Sequence, residues 1–194
     1  MRSSFKYRIY PTRAQVSNLE NQFSMCRHLY NWSLEDRKQT YETRKITVTY
    51  QTQQNALPAL KEKKPWYKGV YSQVLQDVLK RVEKGYQAFF RRVKLGETPG
   101  FPKFKKKGQW SSITYPQFSS RSSEGNLTVL KVGALKIKCH REIPKNANVK
   151  TLTILKEGGK WFVSFSVEYE FHIELKDVQT VLALDLGLID FYVG

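Results

Sequence analysis

The chain has 194 residues, with 33 Lys and Arg against 17 Asp and Glu, and a formal net charge of +16. That length carries at least one sizeable core in one or two domains, and a positive field of this size recruits polyanions. No stretch approaches the roughly 18 apolar residues of a spanning helix, and "MRSSFKYRIYP" lacks the apolar centre of a signal peptide, so a cytoplasmic protein with no membrane partner is expected. Two cysteines, Cys26 and Cys139, without Cys-x-x-Cys spacing indicate neither a zinc site nor a disulfide framework. The charge is uneven. Residues 161–194 hold six acids and one base, leaving 32 bases and 11 acids, a net of +21, in residues 1–160. The 11 Tyr, 11 Phe and 4 Trp interleaved with these bases favour nucleic acid over anionic membrane, because aromatic faces stack on bases. For any single residue, a core aromatic or a solubilising Lys is the plainer reading.

In chain order, "FKYRIY" alternates Phe5, Tyr7 and Ile9 against Lys6, Arg8 and Tyr10, the pattern of a half-buried strand that Pro11 stops. Thr12 and Gln15 form a capping box, and Val16, Leu19, Phe23, Cys26, Tyr30 and Leu34 follow at steps of three and four, predicting a long amphipathic helix. A shorter helix is expected around residues 50–62. A second stripe, Leu75, Val78, Val82, Tyr86, Phe89 and Val93, has the same period, so the two long helices are expected to pack apolar faces together.

Helix order ends in the Gly and Pro of "LGETPGFPKF". "NLTVLKV", "ALKIKCH", "VKTLTIL" and "KWFVSFSVEYEF" then read as strands separated by turns. A lone first strand has no ladder partner for its backbone, so it must pair with these later strands. The expected fold is therefore α+β: a small β-barrel or curled sheet from residues 1–10 and 101–176, with helices of residues 11–100 inserted after its first strand. The acidic segment from residue 177 begins something else.

The stretch "RRVKLGETPGFPKFKKKG" sets Arg91, Arg92, Lys94, Lys103, Lys105, Lys106 and Lys107 against Glu97, with Phe101 and Phe104 among them. Such bases on a Gly and Pro scaffold can follow a phosphate backbone while the rings stack, although basic runs are often plain solvated loops. Cys139 and His140 are neighbours, which on a strand point to opposite faces and are poorly placed to grip one metal; His28 is solitary and reads as structural. In "VLALDLGLIDFYVG", Asp185 interrupts an apolar run. A carboxylate there is either a strand-ending turn residue or a metal ligand.

Six stretches in order, "YRIYPTRAQ", "CRHLYNWSL", "PGFPKFKKKG", "LKIKCHR", "GGKWFVSFSVE" and "LALDLGLIDF", resemble the N-terminal portion of TnpB, the transposon-encoded RNA-guided DNA endonuclease also called the OrfB-type transposase, a relative of type V CRISPR effectors. The resemblance implies that residues 1–10 and 101–176 are a wedge β-barrel, residues 11–100 a helical recognition lobe, and residues 177–194 the first strand of an RNase H-like RuvC nuclease. It implies guide RNA and double-stranded DNA as partners; the basic and aromatic run read above then places Arg91, Arg92, Lys103, Phe104, Lys105, Lys106 and Lys107 on the RNA. Tyr50, Gln54, Ser72 and Gln76, and more loosely Gln117, fall where the family reads a short duplex motif beside its target; Gln addresses adenine bidentately and Ser either base type. For Ser72 the plain alternative is an N-cap, for Gln76 an exposed helix residue.

By the same resemblance Asp185 is the first of three acidic ligands for two Mg²⁺ ions. The other ligands and a zinc segment fall, in the family, beyond residue 194, so this chain by itself is expected to bind without cutting. It reads as a fragment, a partial chain, or a natural truncation. Two rival functions remain: a nuclease-dead RNA-guided repressor, and a generic single-stranded nucleic acid binder without guide or motif. Nucleoid association in a prokaryotic cytoplasm is expected.

Overall fold

The computed structural model describes residues 1–118 and 125–170, together with the backbone of residues 122–123. β1 (Arg2–Tyr10) buries Phe5, Tyr7 and Ile9 and turns the alternate side chains outward, as a two-residue period requires. Its ladder partners lie at the far end of the described chain. β7 (Lys160–Glu168) pairs with it antiparallel from Arg2↔Glu168 to Ile9↔Trp161, and β5 (Gly133–Lys138) takes its other side at Arg8↔Lys138.

β2 (Ser112–Tyr115), β3 (Ser122–Ser123), β4 (Asn126–Val129) and β6 (Asn148–Glu157) complete a seven-stranded antiparallel sheet in the order β2-β6-β7-β1-β5-β4-β3. It curls into a half-barrel with the short strands β2 and β3 at its edges, so among the described residues the expected barrel is an open one. The first strand is thus central, and the helices that follow it in sequence leave from the middle of the sheet.

α1 (Arg13–Arg44) begins at the capping box foreseen from Thr12 and Gln15: Thr12 Oγ1 accepts from the Gln15 amide at 3.3 Å, and Gln15 Oε1 from the Thr12 amide at 3.0 Å. Gln15 Nε2 also donates to Ala134 O at 2.7 Å, fastening the helix start to β5. Residues 50–62 form two short helices rather than one, α2 (Tyr50–Asn55) and α3 (Leu57–Lys63). Pro58 sits in the first turn of α3, where its missing amide hydrogen costs nothing; within a continuous helix it would remove a bond. A 3₁₀ turn (Pro65–Gly69) leads into α4 (Ser72–Lys94), which Gly96 closes at φ +69°.

Helices and sheet share one buried cluster. Phe23 of α1 meets Trp161 of β7 at 5.5 Å between ring centroids, Tyr30 meets Trp110 at 5.4 Å, and Tyr71 stacks on Tyr115 at 6.0 Å. Leu75, Val78 and Val82 of α4 are fully buried as expected, but Val93 at the same period is 49% exposed. The apolar stripe of α4 is longer than the core it serves.

Candidate nucleic-acid interface

A buried polar knot fixes α2 against α1. The Gln53 side chain accepts from Ser33 Oγ (2.5 Å) and Arg37 Nε (3.0 Å), and donates to Ser33 O (3.0 Å) and Asp36 Oδ2 (2.8 Å). Every polar atom of this amide is used, so its burial carries no unpaid desolvation. Arg37 then donates through Nη1 to Glu83 of α4 at 2.8 Å, bringing three helices into one network.

On that frame a cleft opens between α2, α3 and the first turns of α4, lined by Gln54, Asn55, Leu57, Pro58, Lys61, Ser72 and Gln76. Three of the five residues expected to read a duplex motif, Gln54, Ser72 and Gln76, therefore meet in one place. Ser72 is not the N-cap of α4: Tyr71 holds that position, and Ser72 Oγ accepts from Lys61 Nζ at 2.6 Å. Partial burial, and the charge of Lys131, push the Lys61 ammonium pKa below its ordinary value.

Tyr50 and Gln117 do not line this cleft but border it, Tyr50 one turn before Gln54 on α2 and Gln117 against Gln73 of α4. Tyr50 packs against the core with Lys80 Nζ 5.8 Å from its ring, and burial raises its phenol pKa. Gln117 lines a neighbouring cleft and accepts from Gln73 Nε2 at 2.7 Å, one turn before Gln76 on α4. Asn55 and Lys61 were missed in the sequence; each stands beside a residue that was named or on the adjoining helix, and only the fold shows that they share its cleft.

The basic loop between α4 and β2 has no regular structure, yet it is held at three points. Phe101 sits edge-on to Tyr86 (5.5 Å, 87°) and Phe89 (5.3 Å, 80°). Pro102 seats over Gly85, where an added Cβ would stand 3.4 Å from the proline ring. Asn31 of α1 grips the backbone of Lys105 through both its oxygen and its nitrogen. Arg91, Arg92, Lys103, Phe104, Lys106 and Lys107 are left exposed, and Lys105 is half-buried. Arg92 approaches Glu97 at 3.8 Å, an exposed pair that leaves most of its charge available.

The remaining candidates are of a different kind. His28 is structural: Nδ1 lies 2.8 Å from Tyr67 Oη and its ring packs edge-on to Trp66. β5 ends at Lys138, so Cys139 and His140 do not occupy opposite faces of a strand; both line a cleft beside Tyr7. Among the described residues no three His, Cys, Asp or Glu side chains gather to hold a metal ion. Asp185 lies outside the described residues, as does the whole segment assigned to a nuclease strand. No helix among the described residues is long and apolar enough to cross a membrane.

A helix-turn-helix domain model of the OrfB type matches residues 1–45. Here those residues form β1 and one uninterrupted helix, α1, so the match marks common sequence and not two helices joined by a turn. The chain is 28% identical over 188 residues to a protein of Escherichia coli (strain K12) named "Putative RNA-guided DNA endonuclease InsQ", covering 95% of this chain and 45% of that one. It is 31% identical over 172 residues to a "Putative RNA-guided DNA endonuclease" of Streptomyces pristinaespiralis, covering 87% of this chain and 42% of that one. The chain thus spans less than half the length of these relatives. With the ordered motifs and the matches agreeing from the first strand onward, the chain is a TnpB-like N-terminal portion.

Proposed function

We propose that this chain is the guide-RNA-binding and DNA-motif-reading part of a TnpB-type RNA-guided DNA endonuclease. In this reading the curled sheet is the wedge domain, the helices of residues 11–100 are the recognition lobe, and the segment from residue 177 opens a RuvC nuclease. The observation that carries it is the meeting of Gln54, Ser72 and Gln76 in one cleft beside α4, the helix that also holds the basic loop through Tyr86 and Phe89. Each Gln carries a donor and an acceptor that match the N6 and N7 of adenine, and Ser72 can address either base type. Lys61 beside them suits a phosphate, as do Lys103, Lys106 and Lys107 on the loop. The names of the two relatives support guide RNA and DNA as partners. A cytoplasmic, nucleoid-associated protein of a prokaryote fits this role.

Sequencing the RNA that co-purifies with the chain tests the reading. One defined, structured species is expected; a random mixture would mark a generic single-stranded nucleic acid binder instead. Cutting is proposed for the longer form alone, with Asp185 as a Mg²⁺ ligand through its place in "LDLG". In such a form, bound Mg²⁺ supplies the charge for phosphodiester hydrolysis. Asp185→Asn is expected to abolish cleavage while RNA and DNA binding survive. Equal cleavage by the variant would remove Asp185 from the site, whereas a longer wild-type form that binds its target and never cuts would be a repressor that acts by occupancy.

A further inference from the structure

The apolar stripe of α4 runs on past the core. Tyr86 and Phe89 are half-buried, and Phe90 and Val93 are 55% and 49% exposed. Opposite them α1 offers the charged Lys38 and Glu42 and the exposed ring of Tyr41, and a groove of about 760 Å³ remains between the C-terminal turns of the two helices. That volume lies within the range of ordinary small-molecule clefts, roughly 300–1,000 Å³. Its wall is aromatic. Phe101 crosses from the basic loop to meet Tyr86 and Phe89 edge-on, and Phe90 stands 5.2 Å from Phe89 and 6.3 Å from Tyr86. Phe101 itself is 47% exposed, so these rings keep free surface after packing on each other.

The charges around the groove lean positive. Inside it Glu83 is paired with Arg37, while Lys38 and Glu42 offset one another. On the rim, Lys45 Nζ lies 5.5 Å from the Tyr41 ring, Arg91 stands one turn beyond Gln87, and Lys94 one turn beyond Phe90, with no acid of α4 between them. Two residues after Phe101 the chain turns out Lys103, followed by Lys106 and Lys107. Lysines for phosphates thus stand within a few residues of Phe101, whose ring keeps exposed surface for a base. Aromatic walls under a cationic rim are the means by which proteins hold single strands without regard to sequence.

We propose that the groove between the C-terminal turns of α1 and α4 receives an unstacked base of a single-stranded RNA, with Phe90 and Phe101 as its stacking surfaces. The proposal rests on the RNA-binding part of the function above, and adds to the basic run a groove and Phe90, which lie outside it.

The test uses the 194-residue chain with a short single-stranded RNA carrying 2-aminopurine, whose fluorescence falls on stacking, and a blunt RNA duplex of equal length as the control. The wild-type protein should quench the probe. Phe90→Leu and Phe101→Leu, which keep apolar volume but remove the aromatic face, should lose the quenching and bind the single strand about tenfold more weakly; for Phe90→Leu, which anchors no part of the basic loop, duplex binding and the salt slope should be unchanged. Lys106→Ala with Lys107→Ala should do the reverse, lowering the slope while the saturated probe stays quenched. Quenching and affinity unaltered in both Phe variants would overturn the proposal. So would a wild-type chain that fails to bind the single strand, or Phe variants that change only self-association in sedimentation, which would make the groove a contact between copies. A random mixture of co-purified RNA would defeat the guide reading and leave the groove standing, so the two failures are distinct.

Discussion

Asn31 Nδ2 donates to the carbonyl of Lys105 at 3.0 Å, and the Lys105 amide donates back to Asn31 Oδ1 at 2.8 Å. A side-chain amide here does what a neighbouring strand would do, satisfying both polar groups of one residue in a loop that has no ladder. The consequence is positional, since the lysines on either side of Lys105 are held facing out from α1. Each of the two bonds is worth about 1 kcal/mol net. Asn31→Ala is therefore expected to speed tryptic cleavage between Lys103 and Lys107 in the native protein, and to weaken RNA binding several-fold while leaving its salt dependence in place. An unchanged cleavage rate would show that Phe101 and Pro102 alone set the loop.

The exposed lysines should act through charge. Replacing Lys103, Lys106 and Lys107 together by Ala removes point charges without disturbing the Asn31 grip on Lys105. The slope of log affinity against log salt is expected to fall by up to about one unit per lost phosphate contact. A filter-binding titration across salt concentrations measures it directly, and a slope equal to that of the wild type would take this loop off the RNA.

Gln53 and Gln76 separate support from readout. Gln53 is buried and fully bonded, so Gln53→Leu leaves Ser33, Arg37 and Asp36 short of partners and should destabilise the fold by about 1–3 kcal/mol in urea unfolding. Gln76 lines the cleft, and its loss should leave the unfolding midpoint nearly unchanged. Gln76→Ala is instead expected to cost about 1–3 kcal/mol of DNA binding for the preferred motif and to flatten the preference among motif variants. A uniform loss across all variants would mark Gln76 as a phosphate contact.

The elements with a clear period were legible before the fold was known. β1, the capping box at Thr12 and the cores of α1 and α4 follow from spacing, since one face of each is buried and the side-chain period reports that face. β2 was not. "SITY" is four residues in a run of Ser and Thr, too short for alternation to stand out, and its partner β6 lies some 40 residues on. The placement of Gln54, Ser72 and Gln76 in the motif-reading role came from the family resemblance, while their meeting in one cleft depends on α2 packing against α4, a contact between helices that no local pattern reports. The groove was hidden for a related reason. Tyr86, Phe89 and Val93 continue the same stripe as Val82, and periodicity alone says nothing about what the facing turn of α1 provides.

Alkaline pH should expose the cost of burying ionisable groups in this core. Cys26 is completely buried, and desolvation, helped by Asp77 and opposed by Arg81, pushes its thiol pKa up to about 12 from an ordinary 9.0. Burial likewise raises the Tyr67 and Tyr115 phenols well above their ordinary 10.0. In each case the folded state keeps a proton that the unfolded chain releases. The stabilisation is whole below the unfolded pKa and is lost as pH climbs through the folded one, so stability should hold to about pH 9 and fall beyond it. Every group so held contributes a slope of up to about 1.4 kcal/mol per pH unit within its window. Urea midpoints measured at steps from about pH 8 to pH 11 give the curve. Cys26→Ala should remove the fall that begins near pH 9 and shallow the curve up to about pH 12, leaving above pH 10 the slope that the tyrosines contribute. The same burial predicts a chemical asymmetry. Cys139 is exposed, so iodoacetamide should label it in the native protein and reach Cys26 only after unfolding, since the thiolate is the nucleophile. Equal labelling rates at both cysteines in the folded chain, or a flat midpoint up to pH 11, would show that the core around Cys26 opens far more readily than its packing implies.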